Sequence, residues 1–293
     1  IRFYPAKVKG KHQGVTGLNR LAREIQKDFK PDLVIDAHMV LRSMVISRSF
    51  QLMGVKVNAI RKERPARKRF LKANPIERKA LKPISQLHLD TLQRAGFDIN
   101  FDRENILAAP YRLTKETQAW WDANRSSQNI GLAPGARHLS KAWPKEHFIE
   151  LIKNTAKADR KFFLFGGPDE SELLKEIGRA SGANFEVIAG KFSLDQEIAI
   201  CKELNAFVSN DSSNMHLAAW AKIPVISIWG GTHPDAGFAP YGQAELQVGL
   251  DDDALDCRPC SIFGTSECAR GDFACLNQLT PSKVADKLAL TLA

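Results

Sequence analysis

The amino-acid sequence predicts an α/β protein built from two Rossmann-like domains. At 293 residues the chain exceeds the roughly 100 to 200 residues of a usual single domain. Short apolar runs alternate with amphipathic segments along most of its length, which favours parallel sheets covered by helices on both faces. We place the domain boundary at residue 126, so that residues 1–126 form the first domain and residues 127–293 the second.

The first domain begins with a predicted helix, strand, helix and strand. Leu18, Leu21 and Ile25 recur at helical spacing, and Pro31 precedes the short apolar strand DLVIDAH. A second helix is predicted over residues 40–52, and VKVNAI is the next strand. This succession is typical of a βαβ unit.

Two more helices are predicted before the boundary. ISQLHLDTLQRAGF is amphipathic, and Gly96 ends it. In LTKETQAWWDANRSS, Thr114 is suited to cap the helix and Glu116 is suited to its first turn. Polar Ser126 and Ser127 follow, and the second domain starts with the apolar strand in NIGLAPGA.

The second domain repeats the alternation of strand and helix more regularly. Five strands are predicted in IGLAPG, KFFLFGG, FEVIAG, AFVSND and PVISIWGG. Four helices follow the first four strands, in PKEHFIELIKNTAKA, PDESELLKEIGRAS, LDQEIAICKEL and SNMHLAAWAK, and a last helix follows Pro281. Because ligands of parallel sheets bind beyond the carboxyl ends of the strands, the segments after these strands predict the functional site.

These strand ends carry glycines, hydroxyl side chains and charged side chains where helices begin. They are Pro134, Gly135, Arg137 and Lys141 after the first strand, Gly166, Gly167 and Glu170 after the second, Asp211, Ser212 and Ser213 after the fourth, and Gly230, Gly231 and Thr232 after the fifth. Small residues at helix N-termini leave backbone N–H groups free to bind phosphate oxygens. Helix capping explains any single turn of this kind, but several in one sheet predict an anion site.

The two halves of the chain differ in charge. Residues 1–127 contain 26 Lys and Arg against 12 Asp and Glu, a balance of +14, and the remainder contains 16 against 21, a balance of −5. Ten basic and two acidic residues lie in Arg61–Lys82. Such a run is either a solvated surface or a contact for an anionic partner. It lacks the interleaved aromatic residues of nucleic-acid-binding surfaces, so no nucleic-acid partner is expected.

The composition restricts the class of protein. With 44% hydrophobic and 26% charged residues, the sequence is typical of a soluble globular protein. No apolar run approaches the roughly 20 residues that span a bilayer, and no signal peptide is visible. We therefore expect a cytoplasmic location.

Four segments together resemble a known family. GARHLSKAWPKEHFIEL, FGGPDE, NDSSNMHLAAWAKIPVISIWGGTHP and CRPC are similar to segments of the heptosyltransferases of glycosyltransferase family 9, and KPDLVIDAHMVLRS is similar to that family's acceptor-domain strand and helix. The resemblance covers nearly the whole chain. It implies a GT-B fold, in which an acceptor domain and a nucleotide-sugar domain face a cleft. It also implies an inverting transfer of heptose from ADP-heptose to the lipopolysaccharide core.

The resemblance implies roles for individual residues. Lys141 and Asp211 are expected to be catalytic, because Lys141 contacts the donor diphosphate and Asp211 lies near the donor sugar. The remaining donor-binding residues are expected to be Arg137, Gly166, Gly167, Glu170, Ser212, Ser213, His216, Gly230, Gly231 and Thr232. Glu170 would bind the ribose, although an acidic residue in a helix first turn explains it as well, and His216 is equally compatible with a structural role. No cofactor is expected, because Lys141 and helix N-termini supply positive potential.

On the acceptor side, the resemblance leaves Asp36, His38 and Arg42 as candidates, since they follow a first-domain strand. The family's proposed general base is an aspartate in a Gly-Asp turn after its opening strand. The segment IRFYPAKVKGKHQG corresponds to a region well inside the family's first domain. We therefore expect this domain to lack its first strands and the base with them.

Four of the five cysteines lie close together in the sequence. Cys257, Cys260, Cys268 and Cys275 follow a CxxC pattern with two further thiols, and Cys201 lies apart in a predicted helix. A structural zinc, paired disulfides and free thiols that pack a loop all remain open. A cytosolic location argues against stable disulfides.

Two alternatives to an active heptosyltransferase remain. The chain is compatible with a nucleotide-sugar-binding protein of the same fold whose catalysis is impaired, which the expected lack of the Gly-Asp segment favours. A nucleic-acid-binding protein that uses the basic half is the other. In the heptosyltransferase interpretation, Arg61–Lys82 meets a phosphorylated lipid or oligosaccharide acceptor at the inner membrane, where the protein is peripheral.

Overall fold

The structure is a computed structural model that describes residue 4 and residues 10–75, 77–100, 109–265 and 267–293. The chain divides into two compact units. The first comprises Ile1–Arg64 and Lys82–Glu104, and the second comprises Pro65–Leu81 and Asn105–Ala293. Residues 1–3 and 5–9 lie outside the described ranges. They make up much of the segment IRFYPAKVKGKHQG, on which the expectation of missing first strands depends.

Up to residue 100, the helices and strands follow the predicted order, with one further helix in the basic segment that was not predicted. They are α1 (Gly14–Phe29), β1 (Leu33–Asp36), α2 (Leu41–Leu52), β2 (Lys56–Ala59), α3 (Arg64–Lys72) and α4 (Ile84–Ala95). β1 and β2 pair in parallel, with Leu33 opposite Lys56. Ala22 of α1 and Phe50 of α2 are buried beside this pair, so the predicted βαβ unit is confirmed.

The second unit holds a six-stranded parallel sheet. Its strands are β3 (Gln128–Ala133), β4 (Arg160–Leu164), β5 (Phe185–Val187), β6 (Ala206–Asn210), β7 (Val225–Trp229) and β8 (Gln247–Gly249), in the spatial order β5-β4-β3-β6-β7-β8. Its helices are α5 (Lys115–Asn124), α6 (Lys145–Thr155), α7 (Ser171–Ser181), α8 (Leu194–Cys201), α9 (Ser213–Trp220), α10 (Ala274–Asn277) and α11 (Pro281–Leu292). This order is that of a doubly wound Rossmann-like sheet.

Both faces of the second sheet are buried. Ile130 and Leu132 of β3 contribute to the apolar core on one face, whereas Phe163 of β4 and Phe207 of β6 contribute to the core on the other. Successive residues of a strand point to opposite faces, so a near-continuous apolar run serves both layers. The strand order reverses between β3 and β6, and a crevice therefore opens at the carboxyl ends of these two strands.

The second unit begins earlier in the chain than the boundary predicted at residue 126. Trp121 of α5 is buried, with its ring centroid 4.9 Å from that of Phe163. The backbone N–H of Thr114 donates a hydrogen bond to the side chain of Gln196 at 2.9 Å. Because α5 covers the sheet of the second unit, residues 105–126 belong with that unit.

Most of the basic segment also belongs with the second unit. Phe70 of α3 is buried with Ala236 and Ile262, and the backbone N–H of Leu81 donates to the carbonyl of Asp235 at 2.8 Å. The opposite side of α3 exposes basic side chains, which are Arg64, Lys68, Arg69 and Lys72. Phe70 thus anchors α3, whereas these four basic side chains remain in solvent.

None of the helices in the described ranges is both long enough and apolar enough to cross a membrane.

Candidate functional site

A cavity of about 740 Å³ lies at the carboxyl ends of the central strands of the second sheet. Its walls come from the segments that follow β3, β4, β5 and β6, with Phe238 and Phe263 added from later loops. This is the crevice that the reversal of strand order predicts, and its volume is in the range of pockets that hold nucleotide-sized ligands.

Nine of the residues predicted for the donor site line this cavity. They are Arg137, Lys141, Gly166, Gly167, Glu170, Asp211, Ser212, Ser213 and His216. Gly230, Gly231 and Thr232, which the sequence places in the same wall, are not part of the lining. The structure therefore brings the residues after β3, β4 and β6 together and places those after β7 behind them.

Lys141 and Asp211 form an ion pair inside the cavity. The Nζ atom of Lys141 lies 2.9 Å from Oδ2 of Asp211, and their side chains are only 15% and 7% exposed. Thr232 donates its hydroxyl proton to the same carboxylate oxygen at 2.7 Å. Asp211 is thus held from two sides, and the ammonium group of Lys141 is fixed beside the cavity.

Two of the residues after β7, Gly231 and Thr232, support this pair from behind. The N–H of Gly231 donates to the carbonyl of Ser140 at 2.8 Å, which positions the turn that carries Lys141. The hydroxyl of Ser140 donates to the carbonyl of Gly264 at 2.8 Å. Gly264 has a φ of +75°, and the alkyl chain of Lys141 packs where a Cβ would otherwise stand.

Glu170 spans the ends of β3 and β4. Its Oε2 atom accepts a hydrogen bond from the N–H of Gly167 at 2.7 Å. Its carboxylate also lies against the α-carbon of Gly135, so a methyl group at that position would overlap it. The carboxylate is partly exposed and faces the cavity, where it can accept hydrogen bonds from a ligand's hydroxyl groups.

The loops after β3 and β6 are tied to each other. Asn210, which is fully buried at the end of β6, donates its side-chain amide to the carbonyl of Pro134 at 2.6 Å. The side-chain oxygen of Asn210 accepts the N–H of Trp143 at 3.3 Å. These bonds hold the start of α9, with Ser212 and Ser213, beside the turn of Lys141. The free N–H groups at the start of α9 add positive potential there.

His216 lies on α9 and opens to the cavity. The His216 ring is exposed to solvent within the cavity, but the surrounding walls partly desolvate it. This desolvation lowers the pKa of His216. Asp211 opposes that effect on the pKa and Lys141 reinforces it. The net result is a neutral imidazole at neutral pH, which can both donate and accept a hydrogen bond.

The residues at the β5 end of the cavity were not predicted from the sequence. Phe192, Leu194 and Glu197 line it there, together with Leu217 of α9. Burial raises the pKa of Glu197 to about 7. These residues lie in the loop and helix after β5, and this position at a strand end was the signal that could have identified them. No motif was recognised at that strand end.

The basic segment reaches the rim of the cavity. The guanidinium group of Arg67 lies 5.4 Å from the ring centroids of both Phe238 and Phe263, which line the cavity. Arg67 therefore packs against two walls of the site, at a distance typical of cation–π contacts.

The first-unit candidates have a different environment. The carboxylate of Asp36 accepts the N–H groups of His38 at 3.0 Å and Met39 at 2.7 Å, and the hydroxyl of Ser47 at 3.3 Å. It is buried and organises the turn after β1. His38 and Arg42 are exposed beside this turn.

All five cysteines are free thiols. Backbone hydrogen bonds lower the pKa of Cys268, whereas burial raises those of Cys260 and Cys275. Within the described ranges, no three His, Cys, Asp or Glu side chains form a group that could hold a metal ion. Of the three alternatives that the sequence leaves open for this cluster, the structure shows unpaired thiols.

Comparisons with known proteins identify what this chain is similar to. The model of the family described as glycosyltransferase family 9 (heptosyltransferase) matches residues 19–262. Lipopolysaccharide heptosyltransferase 2 of Escherichia coli K12 is 33% identical over 111 residues, which cover 36% of this chain and 32% of that protein. Lipopolysaccharide heptosyltransferase 1 of Pseudomonas aeruginosa is 25% identical over 286 residues, which cover 91% of this chain and 75% of that protein. The chain thus spans about a third of the length of the first of these relatives.

Solved structures are similar in fold. A family 9 glycosyl transferase from Veillonella parvula aligns with a TM-score of 0.71 at 19% identity, covering 98% of this chain and 80% of that one. The ADP-heptose heptosyltransferase II of E. coli aligns with a TM-score of 0.59 at 18% identity, covering 95% and 81%. These likenesses confirm the predicted α/β, GT-B fold class.

Proposed function

Because the chain belongs to glycosyltransferase family 9, the heptosyltransferases, we propose that it transfers heptose from ADP-heptose to a lipopolysaccharide core acceptor. The observation that carries the proposal is the ion pair of Lys141 and Asp211 inside a cavity at the reversal of strand order. A fixed, partly desolvated cation at that point is suited to a diphosphate.

The cavity has the extent of an extended nucleoside diphosphate. Four neighbouring strands, β5 to β6, end along it, and strands lie about 4.8 Å apart, so the row of strand ends measures about 14 Å. We propose that the diphosphate lies at the β6 end, near Lys141 and Ser212. Glu170, two strands from β6, would then accept the ribose hydroxyls.

We propose that Lys141 stabilises the leaving group. The acceptor hydroxyl oxygen forms a bond to C1 of the heptose while the bond from C1 to the diphosphate oxygen breaks, and ADP leaves with that electron pair. The charge that develops on the diphosphate oxygen meets Lys141, the N–H groups at the start of α9, and Arg137 at the rim. Since these groups supply positive charge at the leaving oxygen, the proposal requires no metal ion.

Asp211 would hold Lys141 in place and meet the hydroxyl groups of the donor sugar. Displacement from the opposite face inverts C1, and a general base takes the acceptor proton. Asp36 is not assigned this role, because backbone and hydroxyl donors already occupy its carboxylate. The resemblance to the family implies an aspartate base in the family's opening strand and turn.

The acceptor is proposed to meet the basic side of α3. Arg64, Lys68, Arg69 and Lys72 are exposed on a helix whose other side is anchored by Phe70. A phosphorylated lipid or oligosaccharide core at the cytoplasmic face of the inner membrane has the complementary charge. We therefore propose a cytoplasmic enzyme in peripheral contact with the membrane.

The test is a transfer assay with ADP-heptose and a heptose-deficient lipopolysaccharide core. Mass spectrometry should show an acceptor heavier by one heptose residue, with release of ADP in equal amount. Binding of ADP-heptose without any transfer would instead support the alternative of a catalytically impaired nucleotide-sugar-binding protein. Salt-sensitive DNA binding without affinity for ADP would contradict both interpretations.

A further inference from the structure

Glu197 has an environment unlike that of the other acidic residues of the cavity. It projects from α8, the helix that follows β5, and lines the cavity beside Phe192, Leu194 and Leu217. Asp211 pairs with Lys141 and accepts a hydrogen bond from Thr232, and Glu170 accepts one from Gly167. In contrast, no hydrogen bond or ion pair joins the Glu197 carboxyl group to any described residue. A half-buried carboxyl group without a protein partner is available for a ligand.

The position of Glu197 in the fold indicates which part of a ligand it would meet. β5 lies at the edge of the sheet, three strands from β6. A nucleotide whose diphosphate lies at Lys141 would therefore place its base at the β5 end. The walls there are aromatic and aliphatic, which suits the faces of a planar ring, and Glu197 supplies the polar group at its edge.

We propose that Glu197 determines base specificity by forming two hydrogen bonds with the edge of adenine. This inference rests on the proposed function, because it takes the diphosphate site at Lys141 as given. In the pair, the acid O–H donates to a ring nitrogen of adenine and the carbonyl oxygen accepts the exocyclic amino group. The pair has the hydrogen-bond pattern that Asn and Gln use with adenine.

The same carboxyl group discriminates against other bases. Guanine presents two donors, its N1–H and its amino group, and would pair with the ionised carboxylate instead. Uracil is smaller and presents one donor between two acceptors, so it offers no matching edge at the same reach. The protonation state of Glu197 therefore selects between the two purines.

The acid–base chemistry of the site agrees with this assignment. Burial alone raises the pKa of Glu197 to about 7, so a large fraction of the molecules carries the proton at neutral pH, and this fraction grows as the pH falls. Around it, Cys201 on α8 is an uncharged thiol whose pKa burial raises, and His216 on α9 has a lowered pKa. Lys191 pairs with Glu186, and Lys202 donates to backbone carbonyls, so neither lysine forms an ion pair that would favour the ionised form of Glu197.

The test compares ADP and GDP binding by calorimetry for the unaltered protein, Glu197→Gln and Glu197→Ala, at roughly pH 6 and pH 8.5. Gln carries the donor and acceptor of the protonated acid at every pH. The unaltered protein should lose roughly tenfold in ADP affinity relative to Glu197→Gln between the two pH values, and its preference for ADP over GDP should fall. Glu197→Ala should bind ADP roughly tenfold more weakly than Glu197→Gln at both.

The ratio to Glu197→Gln isolates this residue, because the phosphate of the nucleotide and His216 titrate in both proteins. Equal ADP affinities for the three proteins, with the same pH profile, would overturn the role of Glu197 and leave the diphosphate site intact. Failure of all three folded proteins to bind ADP would overturn the proposed function, and this inference with it. Retention of the native melting transition in each variant shows that folding is not the cause.

Discussion

The ammonium group of Lys141 lies 2.9 Å from the carboxylate of Asp211, and the hydroxyl of Thr232 donates to that same oxygen at 2.7 Å. Three different strand ends of one parallel sheet thus meet at a single carboxylate. The pair lines the cavity, whereas Thr232 is buried behind it.

Replacing Lys141 by alanine should weaken ADP binding roughly 10- to 100-fold, because a charge-assisted contact to the diphosphate is lost. Adenosine, which has no diphosphate, should bind the variant and the unaltered protein alike. Calorimetric titration of both ligands measures the difference. Lys145→Ala is the matched control, since Lys145 forms an exposed ion pair with Glu176 and does not line the cavity. An equal loss of adenosine binding would show that Lys141 acts through the fold instead.

Thr232→Val should lower the free energy of unfolding by about 1 to 2 kcal/mol, because the buried Asp211 carboxylate loses a donor. ADP affinity should also fall, although Thr232 does not line the cavity. Thr155→Val removes a comparable buried hydroxyl, one that donates to the carbonyl of Leu151. Thr155→Val should lower the free energy of unfolding by a similar amount, measured by urea denaturation, and leave ADP binding unchanged. The same ADP affinity in both variants would exclude a positioning role for Thr232.

Gly135→Ala should displace Glu170, because the added methyl group overlaps its carboxylate. We expect roughly tenfold weaker ADP binding, similar to that of Glu170→Ala. The double variant should be no weaker than Glu170→Ala alone, since the collision disappears with the carboxylate. Additive losses in this double-mutant cycle would mean that Gly135 acts independently of Glu170.

Stability should depend on His216 at mildly acidic pH. Its pKa in the folded protein is lowered below the ordinary value of 6.5, so unfolding takes up a proton as the pH falls through 6.5. The unaltered protein should therefore lose stability relative to His216→Gln between about pH 7.5 and pH 5.5, measured as free energies of unfolding. His147, whose pKa burial also lowers, provides the comparison. His147→Gln should show the same trend without altering ADP affinity. A pH-independent difference for His216→Gln would contradict the lowered pKa.

Reversing the charges of α3 should weaken binding to acceptor phosphates. The variant replaces Arg64, Lys68, Arg69 and Lys72 by Glu. The fraction of this protein that co-sediments with vesicles containing anionic lipid should fall severalfold at low salt. A matched variant reverses four exposed basic residues of the first unit, Arg20, Arg23, Lys27 and Lys30. Equal loss in both variants would indicate a general effect of net charge, and no loss in the α3 variant would remove this surface from the proposal.

The second sheet was predictable because each of its buried strands is a continuous apolar run bounded by helix signals. β8 was not predicted, since Gln247–Gly249 is a short edge strand without such a run. The basic segment that contains α3 was placed in the first domain because it precedes the boundary predicted at residue 126. The single aromatic residue Phe70 decides its packing against the second unit, and nothing local in the sequence reveals that contact.

Most of the candidate site followed from strand ends rich in glycine and hydroxyl residues. Gly231 and Thr232 share these features but do not line the cavity, because Gly231 donates to the carbonyl of Ser140 and Thr232 donates to the carboxylate of Asp211. Glu197 has no motif around it. Its chemistry arises from burial beside Phe192 and Leu217, which only the packing of α8 against α9 produces.

The central claim is that this cavity binds the diphosphate of an adenine nucleotide through Lys141. Calorimetric titration of the protein with ADP, UDP and GDP tests it most directly. We expect ADP to bind at least roughly tenfold more tightly than UDP or GDP near neutral pH, with most of that affinity absent for adenosine. Tighter binding of UDP, or equal binding of ADP and adenosine, would contradict the claim.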